Sequence, residues 1–367
     1  MPLAFTTLDQ VLTAPFDTVI DVRSPAEYAE DHIPGAISLP ALSNAERARV
    51  GTIYTQDTPF NARKFGAALV ARNVAGHLET ALADKPGGWQ PLVYCWRGGQ
   101  RSGSFASILT QIGWRAQVIE GGYRSYRRLV VQAMHDAPLP NRLVLLDGNT
   151  GTAKTELLAL LAERGAQVVD LEGLAAHRGS LLGGVARPQP SQKAFEGALA
   201  RAFNALDPAR PVVVEAESSK IGSVLIPGSV WRAMRAAPRI QIRAPLAARA
   251  AYLARAYADL TDEAALLAER LNKLVLFQGH DRVTHWQNLA RDKRFEELAS
   301  ELMAQHYDRR YDKSRKAAQP GEVHELSLDG LQPADLDRAA DRLIAMLDQV
   351  TVMKGAPSSS APINAAG

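Results

Sequence analysis

The one cysteine of the 367-residue chain lies in a segment whose composition favours a reactive thiol. Cys95 stands in YCWRGGQRS (94–102), directly after a short apolar run that is typical of a buried strand. The two glycines permit a close turn whose backbone N–H groups point at the sulfur, and a helix is predicted to begin near Ser102. Arg97 and Arg101 add positive charge, which favours the nucleophilic thiolate. The alternative is a buried structural cysteine, but such a residue needs neither the arginines nor the glycines.

A second segment has the composition of a phosphate-binding loop. Residues 142–147 predict a strand, residues 156–165 predict a helix, and GNTGTAKT (148–155) between them resembles the Walker A pattern. Ala153 stands where that pattern has its last glycine, so its Cβ is expected to crowd the loop or bias one backbone angle. We therefore expect phosphate binding more than ATP hydrolysis. The predicted phosphate-binding residues are Gly148, Asn149, Thr150, Gly151, Thr152, Lys154 and Thr155.

Three polar groups are weaker candidates for substrate binding. The stretch 170–184 is rich in glycine and polar side chains, residues 209–218 predict a strand that ends in two glutamates, and HYDRRYDKS (306–314) can stack on bases or contact phosphates. The glutamates suit a metal or base position, or simply mark a strand that leaves the core, and the last segment also fits a surface helix end. These candidates are Asp170, Glu172, His177, Arg178, Ser180, Glu215, Glu217, Tyr307 and Arg309.

The elements that must position these residues alternate between strands and helices. Val- and Ile-rich runs at 17–23, 91–95 and 116–120 with helical stretches between them predict a parallel α/β sheet. A second α/β unit starts after the proline-containing segment at 136–141, and residues 245–317 have a helical pattern. We therefore predict three ranges: 1–137, a parallel-sheet domain; 138–350, a P-loop NTPase-like α/β domain with a helical C-terminal part; and 351–367, a disordered tail.

Composition narrows the class of protein. A hydrophobic fraction of 46% and a charged fraction of 22% are ordinary for a globular chain and exclude general disorder. The N-terminus lacks signal-peptide features and no apolar run reaches the ~18 residues of a membrane span, so we expect a cytoplasmic protein. The net charge is +3, but arginines cluster at 90–142 and 226–256, which favours a nucleic-acid partner or a helix face whose acids lie elsewhere in the fold.

The first domain resembles the rhodaneses. DVRSPAEYAEDHIPGAISLP (21–40) is similar to their N-terminal signature, and VIEGGYRSYR (118–127) is similar to the segment after their active loop. The resemblance implies that Cys95 handles a sulfur-group element. Five residues separate Cys95 from Arg101, where short rhodaneses usually have four and rhodanese-fold phosphatases have five. A phosphatase or arsenate reductase therefore stays open for this domain.

The whole arrangement resembles the tRNA 2-selenouridine synthase family. CWRGGQRS, GNTGTAKT, DLEGLAAHRGS, VEAESSKIG and HYDRRY are each similar to segments of that family. The resemblance implies a substrate tRNA with 2-thiouridine at the wobble position, geranylation of the 2-thio sulfur from geranyl diphosphate, and replacement of that sulfur by selenium from selenophosphate. It implies no tightly bound cofactor and no resident metal. A magnesium ion near Thr155 is compatible with a diphosphate.

Two other functions remain open at this stage. One is an ATP-dependent persulfide sulfurtransferase, and the other is a regulatory module in which both loops sense phosphate-bearing ligands. The sequence leaves the oligomeric state undetermined.

Overall fold

The computed structural model describes residues 1–178, 187–256, 264–309 and 322–352. The strands are β1 Thr18–Asp21, β2 Ile37–Ser38, β3 Pro91–Tyr94, β4 Gln117–Val118, β5 Leu143–Gly148, β6 Gln167–Val169, β7 Val212–Glu215, β8 Lys220–Ile221, β9 Val224–Leu225, β10 Arg239–Arg243 and β11 Val323–Ser327. The helices are α1 Leu8–Leu12, α2 Pro25–Glu30, α3 Asn44–Gln56, α4 Pro59–Glu79, α5 Gln100–Ile112, α6 Tyr123–Val131, α7 Lys154–Glu163, α8 Leu171–Ala175, α9 Gln192–Asn204, α10 Gly228–Ala236, α11 Leu246–Ala256, α12 Ala264–Asn272, α13 Val275–Gln278, α14 His280–Arg291, α15 Phe295–Leu302 and α16 Pro333–Val352. Single π-helical turns, Gln132–Asp136 and Met303–Tyr307, follow α6 and α15.

The chain divides into two compact units. The first unit comprises residues 1–139, 187–205 and 223–230, and the second comprises residues 140–186, 206–222 and 231–367. The end of the first segment at Leu139 lies two residues from the end of the range predicted for the first domain. Helix α9 follows the phosphate loop in sequence but belongs to the first unit, where the Arg127 guanidinium pairs with the buried Glu196 carboxylate.

The first unit is built on a parallel sheet with the strand order β2-β1-β3-β4. All four residues of β3 are buried, which explains why the sequence shows a continuous apolar run there instead of an alternating one. Ile20 of β1 pairs with Ile37 on one side and with Val93 on the other. Helices α4 and α5 contribute Val74, Phe105 and other apolar residues to the core on this sheet.

The second unit is built on a parallel sheet with the order β11-β10-β5-β7-β6. Strand β5 lies in the centre and is buried over its full length. Helices α7 and α16 pack together over this sheet, with Leu157 and Leu343 in its core. A separate apolar cluster around Trp286 joins helices α12 to α15. The predicted fold class, two α/β parts with a helical C-terminal region, is confirmed.

Two sequence predictions fall outside the described residues, namely Ser180 and the tail from residue 353 on. Among the helices that the structure describes, none combines the length and the apolar character needed to cross a membrane.

Candidate functional site

Cys95 lies at the carboxyl end of strand β3 and is 4% exposed. Helix α5 begins at Gln100, two residues before the start expected from the sequence, so its first turn carries both Arg101 and Ser102. The Ser102 hydroxyl donates a hydrogen bond to the Cys95 sulfur over 3.2 Å. The sulfur therefore lies against the N-terminus of a 13-residue helix, a position that stabilises negative charge.

The pKa of the Cys95 thiol is lowered by these contacts. Burial raises this pKa, but hydrogen bonds from the Ser102 hydroxyl, from the backbone N–H groups of Ser102 and Arg97, and the charge of Arg101 together outweigh it. All of these partners favour the ionised sulfur. The contacts around the sulfur therefore favour the thiolate form of Cys95, and its role as a nucleophile stays a prediction.

The two predicted arginines differ in their surroundings. Arg101 forms an ion pair with Glu27, with 2.9 Å between Nη1 and Oε2, and the Glu27 pKa is about 2 because hydrogen bonds and charge from Arg101 and Ser24 outweigh the effect of its burial. The Arg97 side chain is exposed and contributes its backbone N–H to the sulfur. Arg101 is thus fixed in the cysteine site, whereas the Arg97 guanidinium is open to solvent.

Two glycines let the segment before α6 approach the cysteine loop closely. Gly98 has φ +66° and Gly122 has φ +59°. A Cβ at Gly122 would lie 2.2 Å from the Cys95 carbonyl oxygen, and one at Gly98 would lie 2.5 Å from the Ile119 carbonyl oxygen. Both clashes involve backbone, so neither position accepts a side chain without movement of the loop.

The phosphate loop joins the central strand β5 to helix α7. Lys154 is the first residue of that helix, and its ammonium donates to the Gly148 carbonyl over 2.9 Å. The Thr152 hydroxyl donates to the Asn149 carbonyl, also over a short distance of 2.8 Å. The loop therefore has the strand–turn–helix geometry in which N–H groups and a lysine surround an anion.

Ala153 adopts the left-handed conformation, with φ 59° and ψ 28°. This is the backbone region that favours glycine, so the alanine carries conformational strain. Ala153 is 3% exposed and belongs to the apolar core of the second unit. The backbone of Ala153 is therefore biased as the sequence predicts. Contacts of its methyl group in the core offset part of the strain energy.

Arg249 supports the phosphate loop from helix α11. It is 6% exposed, and its Nε donates to the Thr150 carbonyl over 2.9 Å. Its two terminal nitrogens donate to both carboxylate oxygens of Asp308, over 2.7 and 3.0 Å. Arg249 belongs to the arginine cluster at 226–256, for which a nucleic-acid partner is one of the two interpretations. Its burial and its bidentate pair with Asp308 make it a support of the loop instead.

Other arginines of the segment 226–256 are also engaged within the second unit. Arg243 pairs with Glu325, Arg239 lies 3.5 Å from Asp147, and Arg255 donates to the Leu331 carbonyl. The interpretation that the acidic partners of this cluster lie elsewhere in the fold therefore holds for Arg239 and Arg243, whereas Arg255 has carbonyl and amide partners.

Carboxylates converge beside Lys154 at the carboxyl edge of the second sheet. Glu172 and Glu217 lie side by side, and burial together with the charge of Glu217 raises the pKa of Glu172 to about 8. Burial also raises the Glu217 pKa, against the opposing charge of Lys154. Each carboxyl of this pair therefore favours its protonated form more than an isolated carboxyl does, because two carboxylates in contact cannot both ionise cheaply.

Glu215 is the last residue of β7 and is fully buried. Its Oε2 accepts from the Leu171 N–H over 3.1 Å, while Oε1 has no hydrogen-bond partner among the residues that the structure describes. Burial and the charges of Asp170 and Glu172 raise its pKa well above the ordinary value. The pair predicted from the sequence thus divides: Glu215 anchors the start of α8, and Glu217 faces Lys154.

The remaining predicted residues of the second unit lie in different settings. Asp170 caps helix α8 by accepting from the Gly173 N–H over 2.7 Å. Burial, with Arg270 nearby, lowers the pKa of His177. Tyr307 packs against the apolar cluster around Trp286. Two further candidates differ in exposure: Arg178 is half-buried and Arg309 is exposed.

Comparison with known proteins gives two family matches. Residues 6–129 match the family described as rhodanese-like domain, and residues 141–280 match the one described as tRNA 2-selenouridine synthase AAA domain. The chain is 37% identical over 245 residues to the tRNA 2-selenouridine synthase of Nitrosomonas europaea, covering 65% of this chain and 63% of that protein. It is 35% identical over 245 residues to that of Shewanella halifaxensis, covering 65% of each. The aligned region therefore spans less than two thirds of the length of these relatives.

Proposed function

Because the chain belongs to the tRNA 2-selenouridine synthase family, we propose that it exchanges sulfur for selenium in a wobble 2-thiouridine of tRNA. The observation that carries the proposal is the chemistry of the cysteine loop. Cys95 is held by Ser102, by backbone N–H groups and by the charge of Arg101, and all of them favour its thiolate. A thiolate so placed is suited to the chemistry of selenium or sulfur.

The first proposed step prepares the sulfur as a leaving group. The 2-thio sulfur attacks the first carbon of geranyl diphosphate, a carbon–sulfur bond forms, the carbon–oxygen bond breaks, diphosphate leaves and the N3 proton of the base is released to solvent. Lys154 and the N–H groups of the phosphate loop stabilise the charge that develops on the diphosphate. This role needs phosphate binding without ATP hydrolysis, so it is compatible with Ala153 in the loop. We expect magnesium to arrive with the diphosphate near Thr155.

The second proposed step introduces selenium. The selenium of selenophosphate bonds to C2 of the base, the bond between C2 and the geranylated sulfur breaks, and geranyl thiol leaves. Water then cleaves the phosphorus–selenium bond and phosphate departs. We assign Cys95 to this step.

Mass spectrometry of nucleosides tests the proposal. Thiolated tRNA is incubated with the protein and geranyl diphosphate, with and without selenophosphate. We expect an S-geranylated nucleoside in the first reaction and its conversion to 2-selenouridine in the second. An unchanged nucleoside in both would contradict the proposal, and ATP turnover coupled to sulfur transfer would then favour the sulfurtransferase alternative.

A further inference from the structure

A cavity of about 590 Å³ lies within the first unit, and the residue that follows the reactive cysteine lines it. Trp96 and Tyr123 form an aromatic part of its wall, with their rings stacked at 5.3 Å and 28°. Its volume falls within the roughly 300–1,000 Å³ typical of ligand sites. None of the predicted site residues within the described part of the chain lines it, so the functions assigned above leave it unused.

Backbone hydrogen bonds fix this wall to the cysteine loop. The Tyr123 N–H donates to the Cys95 carbonyl over 2.8 Å, and the Arg124 N–H donates to the Trp96 carbonyl over 3.2 Å. The Tyr123 hydroxyl donates to Asp31 over 2.6 Å, which holds the ring in the core. The position of the cavity relative to the cysteine is therefore set by the main chain rather than by mobile side chains.

The cavity is strongly basic. Four cations line it, Arg124, Arg127, Arg128 and Lys193, against one carboxylate, Asp136. The three arginines belong to helix α6 at the i, i+3 and i+4 spacing that places side chains on one helix face.

Two of these cations are available to a ligand. Arg127 pairs with Glu196, and Lys193 lies 2.6 Å from Glu30. Arg124 and Arg128 are exposed, and neither forms an ion pair within the part of the chain that the structure describes. Their guanidinium groups match the geometry of phosphate oxygens.

We propose that this cavity binds a single-stranded stretch of RNA, with one base stacked against Trp96 and the neighbouring phosphates on Arg124 and Arg128. The inference rests on the proposed tRNA substrate and names where its anticodon loop is held. Aromatic stacking beside cations is the usual means of binding unpaired nucleotides. A base stacked on Trp96 would contact the residue that directly follows Cys95 in the sequence.

The charge part is tested with an anticodon stem-loop RNA that carries 2-thiouridine and a fluorophore, titrated by anisotropy at several salt concentrations. The variant Arg124→Ala/Arg128→Ala is compared with Arg63→Ala/Arg115→Ala, which removes the same charge from exposed positions of the same unit outside the cavity. Loss of two phosphate contacts lowers the slope of log affinity against log salt by roughly 1.4–1.8, and we expect at least about tenfold weaker binding at 0.1 M salt. The control pair keeps its slope. Equal losses in both double variants, or an unchanged slope in the first, would overturn the proposal.

The stacking part is tested with Trp96→Leu against Tyr54→Leu, an exposed aromatic residue on α3. Stacking of one base on an aromatic ring corresponds to a loss of about 5- to 150-fold in affinity, and here the salt slope is retained. If Trp96→Leu binds the RNA as tightly as Tyr54→Leu does, the proposed stacking of a base on Trp96 is contradicted. Melting curves of all variants establish that each is folded.

The binding assay contains neither geranyl diphosphate nor selenophosphate, so the two proposals fail separately. RNA bound through the cavity without nucleoside conversion would contradict the reaction and leave the cavity assignment intact. If nucleosides are converted while the Arg124→Ala/Arg128→Ala variant binds the RNA as tightly as the wild type, the cavity assignment is contradicted and the proposed reaction stands.

Discussion

Replacing Glu172 by glutamine should make the second unit less sensitive to alkaline pH. The pKa of this carboxyl is raised from 4.5 to about 8 by burial and by Glu217, so the native state holds a proton that the unfolded chain releases. The stability linked to this proton is fully present below pH 4.5 and is lost as the pH rises through 8. Glutamine keeps a hydrogen-bond donor for Glu217 and does not titrate.

The expected loss of stability is worked out from the pH range between 6 and the Glu172 pKa of about 8. At about 1.4 kcal/mol per pKa unit, the wild type loses roughly 2–3 kcal/mol between pH 6 and pH 9. For a unit of this size that equals roughly 5–10 °C in the melting temperature. Differential scanning calorimetry at both pH values should show this loss in the wild type and in the control Glu163→Gln, an exposed residue of α7. The loss should be clearly smaller in Glu172→Gln, whereas the part of the loss that belongs to Glu215 and Glu217 remains. Equal pH dependence of the three proteins would refute the raised pKa of Glu172.

Three further changes probe the two loops. Ser102→Ala removes the hydroxyl that donates to Cys95, so alkylation by iodoacetamide at pH 7 should slow several-fold; an unchanged rate would show that the hydroxyl does not stabilise the thiolate. Arg249→Ala leaves the Asp308 carboxylate without its partner and should lower the free energy of unfolding by about 3 kcal/mol. It should also weaken diphosphate binding measured by calorimetry. Full retention of stability and of binding would contradict the supporting role of Arg249. Ala153→Gly should change the free energy of unfolding, measured by urea titration, by less than about 1 kcal/mol, because relief of the left-handed alanine and loss of a buried methyl nearly cancel. Ala153→Val should destabilise the protein clearly more in the same titration.

Local pattern was sufficient to predict the two loops because each is one strand, one turn and one helix in sequence. The structure has each part of these loops where the sequence predicts it, namely the strand before Cys95, the glycine-containing turn after it and the GNTGTAKT turn. The start of α5 was predicted two residues late, since Gly99 ends the loop without a side-chain cap that the sequence would reveal.

Long-range partners could not be predicted in the same way. Arg249 and Asp308 lie 59 residues apart, and nothing in either segment marks the other as its partner. Helix α9 belongs to the first unit through Glu196 and Arg127, although it follows the phosphate loop in sequence. The basic face of α6 was accessible in principle, because Arg124, Arg127 and Arg128 have helical spacing, but only the fold places it beside Trp96.

The most direct test of the account is the division of labour between the two loops, read out as nucleosides by mass spectrometry. Thiolated tRNA, geranyl diphosphate and selenophosphate are supplied together to Lys154→Ala and to Cys95→Ala. We expect Lys154→Ala to leave 2-thiouridine unchanged and Cys95→Ala to accumulate the geranylated nucleoside without selenium. Full conversion to 2-selenouridine by Cys95→Ala would contradict the role given to the cysteine, and geranylation at the wild-type rate by Lys154→Ala would contradict the role given to the phosphate loop.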